Sequence, residues 1–209
     1  MIFNDHSKLE GQHAFLSPSQ SAWLRYDDEK IAQKYKTMFA QMLGTSLHNL
    51  ARDLIKNNIK LSKTDKHLVL LHLLKDGIPR SVIDMDYIFY NLMNYVNDAI
   101  GFKMAPEQIL MYSTNCFGTA DAIAFKNDFL RIHDLKTGMI AASMEQLEIY
   151  AALFCLEYNC KPGCIGMELR LYQSDEVIIH KPTADDILPI MDKIVTSDKI
   201  ITKLKLQEG

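Results

Sequence analysis

"FGTADAIAFKNDFLRIHDLKTG", residues 117–138, lies at the centre of the fold. Two apolar, β-forming runs flank Asn127-Asp128, a dipeptide suited to the tip of a tight hairpin. They predict strands over 117–126 and 129–136. Side chains alternate along a strand, so Leu130, Ile132, Asp134 and Lys136 share one face, and Phe129, Arg131, His133 and Leu135 the other. An acid and an amine therefore close a mostly apolar face. The first run holds Asp121 in equally apolar company, and hairpin pairing sets it opposite or diagonal to Asp134. Carboxylates that close repel each other unless a divalent cation neutralises them. For either aspartate alone, a solvated edge-strand position is the ordinary reading. The pair, with Lys136 two residues on, favours a metal site.

Working outward, residues 28–58 predict a long helix, because Phe39, Leu43, Leu47, Leu50, Leu54 and Ile55 recur every three or four residues. Further helices are expected over 64–75 and 81–100, then a first strand in "QILMY", residues 108–112. After the hairpin, a helix is predicted from 143 to 158, with Met144, Leu147, Ala151 and Phe154 on one side. "CIGMELRLYQSDEVIIH" predicts two strands around a turn at Ser174-Asp175. Thr183, with Asp186 three residues later, opens a last helix as in a capping box. The expected fold class is α/β: a small central mixed sheet flanked by helices, with a helical N-terminal section. Residues 1–209 read as one domain, the helical section spanning 1–102 and the sheet core 103–209. Gly138 is expected to end its strand in a positive-φ turn, and His133 to be structural.

The 209 residues can bury a substantial core, and 48% hydrophobic with 23% charged residues is ordinary globular composition. No apolar run approaches the ~20 residues of a membrane span, and the first residues lack a secretory pattern. A cytoplasmic protein is expected, in the host cytoplasm if phage-encoded. Cys116, Cys155, Cys160 and Cys164 fit no common zinc spacing, so buried or partly buried free thiols are expected and no iron–sulfur cluster. A net charge of −3 argues against coating nucleic acid by charge alone, though not against gripping it locally.

"FGTADAIAFKNDFLRIHDLKTG" followed by "QLEIYA" (146–151) resembles the RecB-like branch of the PD-(D/E)xK nuclease superfamily, most nearly its phage- and prophage-encoded members. "LSPSQSAWL" (16–24) and "GTSLH" (44–48) are similar to the opening motifs of those proteins, so the likeness covers most of residues 16–158. It implies a restriction-endonuclease-like core and metal-dependent hydrolysis of DNA in phage DNA processing or recombination. It also implies roles for particular residues. Asp121 and Asp134 would hold Mg²⁺ or Mn²⁺ together with the backbone carbonyl of Leu135, His48, and Glu107 as a further ligand. Lys136 would position or activate the attacking water. Gln146 and Tyr150, one turn apart on a helix, would face the cleft, with Tyr150 towards DNA. Thr45 and Arg52 would contact substrate.

Each of these has a plainer reading. His48 could line the helix–sheet boundary, Glu107 could be solvated, Tyr150 could be core, and Gln146 could complete a capping box with Ser143. Trp23 and Tyr26 offer rings for base stacking or for packing. Arg52 stands where look-alike proteins often carry glutamate, so it either meets a phosphate or marks a weakened site. No G-x-x-x-x-G-K-[ST] segment exists in the chain, so any helicase, annealing or host-defence protein would be a separate partner, and oligomerisation is open. The rival expectation is a nuclease-fold binding protein without hydrolysis, an anti-defence or scaffold factor.

Overall fold

The structure, a computed structural model, describes residues 4–138 and 143–208. Short 3₁₀ turns at Ser7–Leu9 and Pro18–Arg25 lead into α1, Asp28–Lys56. Asp27 starts that helix by accepting a hydrogen bond from the Lys30 N–H at 2.8 Å. Helix α2 spans Lys66–Lys75 and α3 Met85–Gly101, the latter capped by Asp84, which accepts from the N–H groups of Asp86 and Tyr87. The stripe on α1 is turned slightly from the expected one. Phe39, Leu43, Ser46, Leu47, Ala51 and Ile55 are buried, while Leu50 and Leu54 pack only partly against the core.

Five strands follow: β1 Ala105–Ser113, β2 Cys116–Lys126, β3 Phe129–Leu135, β4 Gly166–Gln173 and β5 Glu176–His180. They form one sheet in the order β1-β2-β3-β4-β5. All neighbours are antiparallel except β3 and β4, which run parallel. That exception requires a crossover, and α4, Glu145–Glu157, supplies it. The two hairpins turn where the sequence indicates: Asn127 and Asp128 have φ of 52° and 55°, and Ser174 and Asp175 have 55° and 60°. Paired left-handed residues of this kind match the twist of the flanking strands. Helix α5, Ala184–Glu208, starts where Thr183 donates its N–H and hydroxyl to Asp186.

The sheet is covered on both faces. Leu47, Leu73, Leu92 and Val96 of α1–α3 pack with Ala122, Leu135 and Tyr172 on one side. On the other, Leu147, Ala151, Leu153 and Ile187 of α4 and α5 pack with Leu130, Ile132, Leu169 and Leu171. Strands β3 and β4 are therefore buried on both faces. No described helix is long and apolar enough to cross a membrane.

Two expectations are corrected. Gly138 does not adopt positive φ. The chain leaves β3 through a bend in which the Gly138 carbonyl accepts from the Tyr87 hydroxyl and the Gln173 amide, so a left-handed turn is not required. Of the four cysteines, Cys155 is buried and Cys116 and Cys160 are partly so, but Cys164 is exposed on the 3₁₀ turn Pro162–Cys164.

His133 is structural, as expected. It is fully buried, its Nδ1 lies 3.2 Å from the Tyr172 hydroxyl, and its ring packs edge-on against Phe102. Burial first, then the Arg170 and Arg131 guanidiniums, pull its pKa down to about 3. A base depressed in the folded state gives stability that is complete above its unfolded pKa of ~6.5 and is lost as pH falls towards 3. One unit below 6.5 the loss is about 1.4 kcal/mol. Urea denaturation should show stability falling between pH 6.5 and 5.5, with a flatter dependence in His133→Gln. An unchanged slope in the variant would assign the loss to other groups.

Candidate functional site

Strand β2 is longer than β3, and the site sits where β3 gives out. Their pairing runs from Lys126↔Phe129 to Ala122↔His133, and one further step in that register sets Asp121 opposite Asp134. The Leu135 N–H donates to Asp121 Oδ2 at 3.1 Å, which fixes one carboxylate against the end of the other strand. Both acids are withdrawn from water, with side-chain exposures of 15% for Asp121 and 4% for Asp134.

The two helical layers complete the group from opposite faces of the sheet. From α1, His48 places Nδ1 3.4 Å from Asp121 Oδ2. From β1 comes Glu107, which lies within the strand rather than before it, held at φ 53°. That conformation is uncommon for a residue with a Cβ and carries local strain. Ligand atoms of His48, Glu107 and Asp121 all lie within 4.8 Å of one another. Atoms bound to one Mg²⁺-sized ion lie about 3 Å apart when adjacent and about 4.2 Å when opposite, so the trio would have to draw closer to hold one.

Charge balance favours such an ion. Burial pushes the Asp121 carboxyl up to about 6, helped by the charges of Asp134 and Glu107 and opposed by His48 and the Leu135 N–H. Asp134 Oδ2 is buried and accepts no hydrogen bond of good geometry, although Lys136 Nζ stands 3.0 Å away. A buried oxygen without a full partner is destabilising unless something else meets it. Two carboxylates and an imidazole suit Mg²⁺ or Mn²⁺, the imidazole tilting the balance to Mn²⁺.

Lys136 is held rather than free to wander. Its ammonium donates to Asp134 Oδ1 at 3.0 Å and to Gln146 Oε1 at 2.8 Å. The Gln146 amide in turn donates to the Tyr150 hydroxyl at 3.4 Å. The alternative role for Gln146 does not arise: Met144 is the N-cap of α4 and makes no side-chain cap bond, while among the described residues the Ser143 hydroxyl meets Glu145. Asp121, Asp134, Lys136, His48, Glu107, Gln146 and Tyr150, all singled out from the sequence, thus lie in one contiguous group. Arg52 is bonded instead to Asn49 and Asp53 of its own helix. Thr45 is exposed and lines a groove with Met38, Asn49 and Asp76.

Three residues escaped sequence analysis. Gly118 lets the Tyr150 ring lie against β2: a Cβ there would stand 3.0 Å from Tyr150 Cε1. Gly44 likewise admits the segment after β3, since a Cβ would stand 3.1 Å from Thr137 Oγ1. Both belong to the quoted Gly-Thr pairs, but their reason is a long-range approach that no local pattern reveals. Tyr95 of α3 is the third. Burial, then the charges of Asp121, Asp134 and Glu107, push its phenol well above its ordinary pKa, so it stays neutral.

The Gly118–Tyr150 approach is directly testable. Gly118→Val should destabilise the protein by about 1–3 kcal/mol through overpacking. Combined with Tyr150→Ala, it should lose less than the sum of the single changes in urea denaturation, because the clash disappears. Strict additivity would show that the ring does not press on that strand.

Comparison with curated proteins finds no match, and comparison with solved structures finds none. A family model described as protein of unknown function, DUF2800, matches residues 13–161, which takes in His48, Glu107, Asp121, Asp134, Lys136, Gln146 and Tyr150. That span covers well over half of the chain, and the protein belongs to the DUF2800 family.

Proposed function

We propose that the protein is a divalent-metal-dependent DNA nuclease built on a RecB-like PD-(D/E)xK core. The observation that carries this reading is the meeting of Asp121, Asp134 and Lys136 at the end of the β2–β3 hairpin, with His48 beside Asp121. The order of elements from α1 through β1–β3, α4 and β4 supports it. His48, Glu107, Asp121, Asp134 and the Leu135 carbonyl would hold the ion. A bound Mg²⁺ or Mn²⁺ would supply Lewis-acid activation of water and charge neutralisation at the phosphate.

The chain's own groups do the rest. An ammonium has three donors. Asp134 and Gln146 take two on Lys136, and a third serves the attacking water or a phosphate oxygen. Fixing the amine on two anchors means little reorganisation is needed as charge grows on the phosphate. Tyr150 steadies Gln146 and offers its ring edge to substrate. Glu107, Asp121 and Asp134 bring negative charge that repels DNA when the ion is absent, so substrate binding at this end of the sheet depends on metal. DNA is the proposed partner, and phage or prophage DNA processing the proposed setting.

The test is cleavage of linear and circular, single- and double-stranded DNA in Mn²⁺, Mg²⁺ or EDTA. Wild type should cut in metal and not in EDTA, and Lys136→Ala should reduce the rate by a factor of about 10²–10³, the scale of losing one transition-state donor. Arg52→Ala should fall far less. Tight DNA binding with no cleavage by wild type under any condition would instead establish the binding-protein alternative.

A further inference from the structure

A second feature lies on α1, beyond the metal-binding end of that helix. The N-terminal segment folds back on α1 through an aromatic stack: Phe15 meets Tyr35 edge-on at 5.3 Å, and Tyr35 meets Phe39 at 4.8 Å. Beside this stack is a cavity of ≈ 340 Å³ lined by His13, Phe15, Trp23, Tyr26, Lys34 and Met38. Its size falls within the ~300–1,000 Å³ range of small-ligand sites. Three rings, a lysine and a histidine form its wall. Trp23 is held in place by its indole N–H, which donates to the Ser17 carbonyl at 3.0 Å. Tyr26 is braced by the Lys30 ammonium, 4.9 Å from its ring centre.

The cavity is not isolated. Met38 also lines a second, more open groove that continues along α1 past Gln41, Met42, Thr45 and Asn49. Thr45 lies one turn before His48 on the same helix. The acid in this groove, Asp76, accepts from the Ser46 hydroxyl at 2.6 Å and faces His72 at 3.4 Å. From Lys34 to His48 the helix rises about 21 Å, at 1.5 Å per residue. A stacked nucleic-acid strand advances about 3.4 Å per nucleotide, so roughly six nucleotides bridge the two sites, or fewer when stretched.

We infer that the Trp23–Tyr26 cavity is a base-stacking subsite for single-stranded DNA, whose strand runs along α1 to the metal-binding end. The inference rests on the nuclease reading for the direction of the strand and on the cavity itself for the stacking. Flat rings take any base because every base has a π-face, while Lys34 attracts the backbone. An unpaired base is the natural occupant, since a duplex keeps its bases stacked on each other and out of a pocket of this size. The geometry gives Trp23 and Tyr26 a role in substrate choice, favouring frayed or single-stranded DNA over blunt duplex.

Trp23 is the only tryptophan of the chain, so its fluorescence reports this cavity alone. Titration with hexathymidylate in EDTA, where cleavage is excluded, should quench Trp23 emission. Blunt duplex of the same length should quench it far less. Tyr26→Ala and Lys34→Ala should each weaken hexathymidylate binding about five- to tenfold, and Tyr26→Phe, which keeps the ring, should bind like wild type. Quenching that depends on Tyr26 supports the subsite whether or not the protein cuts DNA, so its fate is separable from that of the nuclease reading. Absence of quenching by any oligonucleotide, or equal quenching by duplex, would overturn it, even if wild type proves to be a nuclease.

Discussion

Two carboxylates drawn out of water at one level of the sheet are the constraint on which the rest turns. Cross-strand partners place their Cβ atoms about 5 Å apart. Unit charges at that separation repel by about 3 kcal/mol at an effective dielectric of 20. The fold meets part of this demand with its own groups: the Leu135 N–H and His48 face Asp121, and Lys136 faces Asp134. It leaves the Asp121 carboxyl raised and one Asp134 oxygen without a hydrogen bond. The crowding of Glu107 against Asp121, on top of Asp134, is the physical case for a cation.

The layered architecture follows from the same need. A parallel β3–β4 pair forces α4 across one face, which delivers Gln146 and Tyr150 to the amine. Helix α1 crosses the other face and delivers His48. Each approach is tight beside a glycine, Gly118 under Tyr150 and Gly44 beside Thr137, where a Cβ would force the neighbour to give by a few tenths of an ångström. Away from this end, the polar chain of His133, Tyr172, Asp98 and Arg170 ties β3 and β4 to α3. It links the two strands to that helix through a neutral histidine.

Much of this was legible in the sequence because it is local. Helix periodicity, the Asn127-Asp128 and Ser174-Asp175 turns and the Thr183–Asp186 start all depend on neighbours a few residues apart, and each forms where expected. The pairing of Asp121 with Asp134 was legible for the same reason, since a two-residue hairpin fixes its own register. What escaped depends on contacts distant in sequence. Gly138 avoids a left-handed turn because Tyr87 and Gln173 bind its carbonyl from other elements. Glu107 became part of β1 because β2 extends past β3 and continues to pair there. Arg52 found its partners on its own helix, Asn49 and Asp53, which no substitution pattern at one position could foretell.

The reading of the whole molecule reduces to one question, whether a cation binds between the two aspartates. Diffraction from crystals grown with Mn²⁺, measured at the manganese absorption edge, answers it without reference to any substrate. An anomalous peak is expected within about 2.0–2.3 Å of oxygens of both Asp121 and Asp134, the range of hard-cation contacts, with His48 in the same shell. A fully occupied manganese elsewhere, or none with both carboxylates still paired only to Lys136 and His48, would contradict it.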